Sequence, residues 1–195
     1  FKQWEDKIVY LPIKLDDTGL DFSVKDSTYT PTSPSWIFEN QQRNALLHGL
    51  KDITEEDLIM VGDLDEIPNL DLFNNKNEFT NLIKEQTSPI TFEQYFYYYY
   101  FNNKSVGLKD RIWGGTVIAS KNNFTTPQNL RDQRNHYPRI ANGGWHLSYM
   151  GGKDMIKKKI QNIAHTEFNN PKYYTEENLD MCLKEGKDIF DRKHM

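Results

Sequence analysis

The stretch that most restricts the fold of this chain is LIMVGDLDEIPN, Leu58 to Asn69. An apolar run ends in a glycine and then meets Asp63, Asp65 and Glu66 just before Pro68. A short apolar run of this kind suits a buried strand. Like charges packed this closely stay ionised together only where a cation or a proton shares the site. Asp63 and Asp65 are two residues apart, so on extended backbone their side chains point the same way. The run therefore predicts a strand that delivers two carboxylates to one place. The plainer alternative is a polar turn in which Asp63 caps the backbone near Pro68.

Strands and helices alternate along the rest of the chain, which predicts an α/β fold in a single domain over residues 1–195. DKIVYLPI (Asp6 to Ile13) reads as a short buried strand, and the polar stretch Asp16 to Ser35 as a loop. A helix follows, with Ser35 as its cap, an i,i+4 pair of Glu39 and Arg43, and Ile37, Leu46, Leu47 and Leu50 at helical spacing. Residues from about Asn77 to Glu85 read as a second helix. PITFEQYFYYYYF is strongly β-prone, with Tyr95, Tyr97 and Tyr99 on one face and Phe96, Tyr98 and Tyr100 on the other. RIWGGTVIAS is a strand, and a short helix starts at Pro127 behind a Thr126 cap. RIANGGWHLSYM is a strand with a glycine break, in which Trp145 faces the core. GKDMIKKKIQNIAH and TEENLDMCLKEGKDIF are amphipathic helices.

In an open α/β sheet, ligands bind beyond the carboxyl ends of the strands. Asp63 and Asp65 fall at such an end. Hard oxygen ligands suit Mg2+ or Mn2+, which keep waters and take substrate phosphates as remaining ligands. Phosphatases of the haloacid-dehalogenase type also end a strand with D-x-D, using one Asp as nucleophile. They need a later acidic pair, and no Asp-Asp pair follows Asp65 in this chain.

Three pieces together resemble glycosyltransferase family 17: ENQQRNALLHGL (Glu39 to Leu50), DLIMVGDLDEIPN, and GGWHLSYMGGKDMIKKKIQNIAHTE (Gly143 to Glu167). The resemblance implies a GT-A fold, a Rossmann-like mixed sheet flanked by helices. The upstream first strand of that fold is not evident here. It also implies a UDP-sugar donor, a divalent metal (Mn2+ or Mg2+) at the D-x-D, and inversion at the anomeric carbon. The founding activity of the family adds GlcNAc to the β-mannose of N-glycans, so GlcNAc is the favoured sugar and a glycan hydroxyl the acceptor. Inversion needs a base that takes the acceptor proton during one in-line displacement.

The resemblance assigns the site residues. Asp65 is the metal ligand, and Asp63 binds the metal through water or touches the ribose. Glu66 either orients its neighbours or points away. Arg43 and Asn44 lie near the nucleotide, with the Glu39–Arg43 helix pair as the alternative for Arg43. His146 is a third metal ligand or a diphosphate contact. Of the three consecutive lysines, Lys159 reaches the diphosphate. Asp154 follows a glycine pair at a helix start and is the candidate catalytic base, although a helix dipole explains an acid there equally well. His165 is an alternative ligand or a C-terminal histidine suited to the dipole. The aromatic surface leaves a second class open, a carbohydrate-binding or inactive remnant.

The bulk numbers exclude some partners. Net charge is −4 and no basic block exceeds Lys157 to Lys159, which speaks against nucleic acid. No apolar run has membrane-spanning length. The single cysteine, Cys182, forbids an intrachain disulfide and fits a reducing, cytoplasmic compartment. The chain begins at Phe1 rather than Met, so a lumenal Golgi location is the expectation if it is a piece of something longer.

Overall fold

The computed structural model describes residues 2–23, 28–107 and 112–192. Strands are β1 (Leu58–Val61), β2 (Glu66–Pro68), β3 (Ile90–Tyr98), β4 (Ile112–Ser120) and β5 (Arg139–Ser148). Helices are α1 (Pro34–Ala45), α2 (Lys76–Lys84), α3 (Pro127–Gln133), α4 (Gly152–Asn162) and α5 (Glu176–Glu185). The helix starts follow local chemistry. Asn75, Thr126 and Thr175 each accept a hydrogen bond from a first-turn N–H of α2, α3 and α5. Pro34 occupies the start of α1, where its missing N–H costs nothing. That moves the helix start ahead of Ser35, the expected cap, and leaves Ser33 at the N-cap position. Arg111, the first residue of the expected fourth strand, and residues 24–27 of the expected loop lie outside the described residues.

The five strands form one mixed sheet in the order β1-β4-β3-β5-β2. Only β3 and β5 pair in parallel, Tyr95 opposite Trp145 and Phe96 opposite His146. The other three pairings are antiparallel. The two edge strands, β1 and β2, are consecutive in the chain, and this forces the sheet to curl. In a flat sheet those edges would stand four strand spacings, about 19 Å, apart. Five steps of extended chain from Val61 to Glu66 span about 17 Å at most. A turn shortens the link further, since Glu66 N–H donates to Asp63 O at 3.0 Å. The curl brings Glu66 of β2 within hydrogen-bond reach of Trp113 on β4.

Packing divides along β3. Ile90, Thr91 and Phe92 are all buried, and from Glu93 onward burial alternates. At the fully buried end α2 covers one face, with Phe79 and Ile83 against Ile90, Phe92 and Ile118. On the other face, Leu130 of α3 packs on Ile59, Val61 and Val117. Both ladders of β3 shift register between Thr91 and Gln94, a bulge that re-aims the side chains after it. Beyond it Phe96 and Tyr98 join Ile156 and Ile160 of α4 and Leu179 and Cys182 of α5. The opposite face at this end, with Ile67, Tyr97, Trp145 and Leu147, lines an open groove with Phe101.

Several expectations are corrected. Asp6 to Ile13 is not a strand: a 3-10 turn spans Lys2–Lys7, and Ile8, Val9 and Tyr10 are exposed. The segment gains no ladder partner in the sheet, and the chain is tied to α1 only after it, where the Gln41 amide bonds both the N–H and the C=O of Asp16. The helix carrying Arg43 stops at Ala45, so Leu46 and Leu47 fall in a 3-10 turn and are exposed. Pro68 does not only turn the chain; it closes strand β2, at a sheet edge where a missing N–H is tolerated. Trp145 and His146 do alternate, but with faces reversed: His146 is buried and Trp145 is 38% exposed. The tyrosine alternation stops at Tyr99, whose φ of 63° turns it into the core.

Candidate active site

The three acids that end β1 go to different partners. Glu66 turns inward, and its side chain is fully buried. It accepts hydrogen bonds from Trp113 Nε1 at 2.8 Å and from Arg131 Nη1 at 2.9 Å. Its Oε2 accepts the Asp63 backbone N–H at 3.1 Å. Glu66 thus orients its neighbours, and it fixes the backbone on which Asp63 sits. Arg131 is 4% exposed and spends its fork on three acceptors: Glu66, Gly115 O at 3.1 Å, and Asp63 Oδ2 at 2.6 Å. A buried guanidinium needs this many partners to offset the water it loses.

Asp63 sits between two arginines. Its Oδ1 lies 3.3 Å from Arg43 Nη2, which also pairs with Glu39 at 2.6 Å as the helical spacing predicts. Arg43 further donates to Gln128 on α3. Asn44, one residue on, accepts the Gln128 backbone N–H at 3.1 Å and so ties α1 to the start of α3. Its carboxamide oxygen is committed to that joint.

Asp65 faces the other way, toward β5 and α4. Lys159 Nζ donates to its Oδ2 at 2.7 Å, and His146 Nε2 stands 3.4 Å from its Oδ1. Burial raises the Asp65 carboxyl, but His146 and Lys159 outweigh it and hold the group well below the usual carboxylate range. His146 is clamped flat on Phe96, ring centroids 4.5 Å apart, with Trp113 at 4.6 Å on it as well. Its Nδ1 is buried without a hydrogen-bond partner. Lys159 also reaches Ser148 Oγ at 3.4 Å and lies over the Tyr149 ring. Lys157 and Lys158 are exposed.

Asp154 stands apart from this cluster. It lies in the exposed first turn of α4, whose start is set by Gly151 in the left-handed region at φ 98°. Five residues separate it from Lys159, so the two side chains leave the helix about 140° apart. α4 ends at Asn162, short of the expected His165, and the structure brings His146 rather than His165 to Asp65. Arg131 and Trp113 are the residues that sequence reasoning did not place at the carboxylates. No local signal marks Arg131. It sits 68 residues from Asp63, and only the packing of α3 against β1 joins them.

A family model described as Glycosyltransferase family 17 matches residues 6–193. The chain belongs to that family. Comparison with curated proteins and with solved structures gives no match. Membership of family 17 places the chain among the glycosyltransferases, whose substrates are sugars. Among the described residues no helix is long and apolar enough to cross a membrane.

A divalent metal at the D-x-D is the expectation, and Asp65 and His146 are the two donors the structure brings together there. Asp65 Oδ1 and His146 Nε2 are 3.4 Å apart, wider than the about 3.0 Å between neighbouring ligands of an octahedral cation with bonds of about 2.1 Å. A carboxylate with an imidazole suits Mn2+. Among the described residues no three His, Cys, Asp or Glu side chains converge on one ion. An ion held by Asp65 and His146 would need waters or substrate phosphate for its remaining positions.

Proposed function

We propose that this family 17 chain is a metal-dependent, inverting glycosyltransferase of GT-A type that moves a sugar, GlcNAc in the favoured case, from a UDP-sugar to a glycan hydroxyl. One observation carries the reading: Asp65 meets an imidazole and a lysine at the mouth of the sheet. A divalent metal held by Asp65 and His146 would supply positive charge to the diphosphate leaving group. Lys159, paired with Asp65, would add a second positive charge beside it. Asp63, held between Arg43 and Arg131 on the other side of the turn, would serve as the ribose contact. Arg43 presents its guanidinium beside Asp63 to the nucleotide, with Asn44 behind it holding α1 on α3. For the base, the sequence offers Asp154, kept anionic by the N-terminus of α4.

The test is a thermal-shift screen of nucleotide sugars with Mn2+, since a ligand bound only by the native state raises the melting temperature. A UDP-sugar should raise it in wild type and not in Asp65→Ala. Equal shifts in both proteins would sink the metal assignment, and no shift with any nucleotide sugar would sink the donor.

The exposed groove of Ile67, Tyr97, Phe101, Trp145 and Leu147 favours a second reading, a carbohydrate-binding or inactive remnant. Metal-dependent hydrolysis of a UDP-sugar separates the two. The D-x-D phosphatase reading gains nothing from the geometry, because both Asp63 oxygens are bonded to arginines.

A further inference from the structure

A second histidine–carboxylate pair lies just beyond the end of α4. His165 Nδ1 is 2.6 Å from Glu167 Oε1. In this contact an imidazole carrying its proton on Nδ1 would donate to the carboxylate and turn Nε2 outward as an acceptor. The Glu167 side chain is 10% exposed, whereas His165 is 41% exposed. Glu167 Oε2 is buried and has no hydrogen-bond partner. A carboxylate buried this way is costly unless a positive charge arrives beside it. The turn that carries the pair is anchored, because the Phe168 ring stacks on the buried Phe190 at 4.4 Å.

The pair faces the site along two walls. On α1, Trp36 and Arg43 are seven residues apart, so they share a face and are separated by about 10 Å along the axis. Arg43 touches Asp63, and the edge of Trp36 meets the His165 ring at 4.7 Å. On the other wall, Lys159 of α4 touches Asp65, and the chain leaves α4 after Asn162 to reach His165. These contacts put the D-x-D at one end of a continuous run of side chains and the imidazole at the other. Tyr29 and Trp36 beside His165 offer aromatic faces to an acceptor sugar.

We infer that His165, held by Glu167, is the base that deprotonates the acceptor hydroxyl, in place of Asp154. This rests on the glycosyl-transfer reading above. As the acceptor oxygen bonds to the anomeric carbon, the bond from that carbon to the diphosphate breaks and its electron pair leaves on the diphosphate. The hydroxyl proton passes to His165 Nε2 and then to water. Glu167 is a positioning residue: it sets the tautomer and stabilises the imidazolium.

Two measurements test it on the full chain. The first needs no turnover: nitrogen-15 NMR of labelled histidine should show His165 protonated at Nδ1 in wild type and redistributed toward Nε2 in Glu167→Gln. A wild-type imidazole protonated mainly at Nε2 overturns the assignment. The second uses UDP-GlcNAc, Mn2+ and a β-mannoside acceptor. His165→Ala should lose about 10²- to 10⁴-fold in kcat and bind UDP with Mn2+ within twofold of wild type. Added imidazole should restore part of the rate. Turnover of His165→Ala within a few-fold of wild type overturns the base alone. A wild-type chain that neither binds nor turns over any UDP-sugar overturns the transferase reading, and the base with it.

Discussion

Replacing Glu66 with Gln removes one charge and changes almost no volume, so its effect isolates the buried ion pair. The carboxylate has two oxygens facing donors only, apart from the Thr116 hydroxyl at 3.4 Å. If the new amide nitrogen takes the Oε1 position, it confronts Trp113 Nε1 and Arg131 Nη1. If it takes the Oε2 position, it confronts the Asp63 backbone N–H and, at 3.2 Å, Arg131 Nη1, which keeps its bond to the Oε1 position. The second orientation is the less damaging, since Thr116 Oγ1 can then accept. One backbone donor still loses its partner, and Arg131 keeps only Asp63 to balance its charge. Breaking a buried pair costs about 3–5 kcal/mol, and the surviving 2.6 Å contact to Asp63 argues for the lower end, about 3 kcal/mol. For a chain of this size each kcal/mol moves the melting temperature by roughly 2–4 °C, so the fall should be about 6–12 °C. Urea unfolding should show a lower midpoint with an unchanged slope. A loss under about 1 kcal/mol, the range of exposed pairs, would refute the view that Glu66 is the hub of the site.

Asp65 links stability to pH. Its folded carboxyl is held below the ordinary range, so its contribution is fully present above the unfolded value of about 4 and fades as pH falls below it. With metal chelated, the stability gap between wild type and Asp65→Asn should therefore shrink from pH 6 to pH 3; a gap that stays constant is the contrary result. Gly144 has φ 138°, and a Cβ there would lie 2.1 Å from Ile67 O. Gly144→Ala should part β2 from β5 and cost at least about 2 kcal/mol, read by calorimetry, whereas Gly19→Ala meets no atom within 4 Å and should cost only the strain of its φ of 75°. Cys182 is 1% exposed, and burial raises its thiol, so a thiol reagent should label it only after unfolding.

What the sequence determined by itself is local. The apolar run ending at Gly62, the caps at Thr126 and Thr175, and the amphipathic periods of α4 and α5 are written within a turn or two of chain, and each element formed there. The family motif around Asp63, Asp65 and His146 was legible for the same reason. Tertiary structure decided the rest. β2 is three residues long and acquires its identity only by pairing with β5, about 80 residues away. The reversed faces of Trp145 and His146 follow from that pairing, because buried Glu66 stands opposite His146 and exposed Ile67 opposite Trp145. Arg131 had no local signal, since an arginine in a short helix reads as surface until a curled sheet sets two acids beside it. Asp6 to Ile13 shows the converse: its pattern is that of a strand, but a strand needs a neighbour, and none of the five strands of the sheet pairs with it. Periodicity states what a segment can become, and the sheet's long-range closure states which acids, bases and rings share one space.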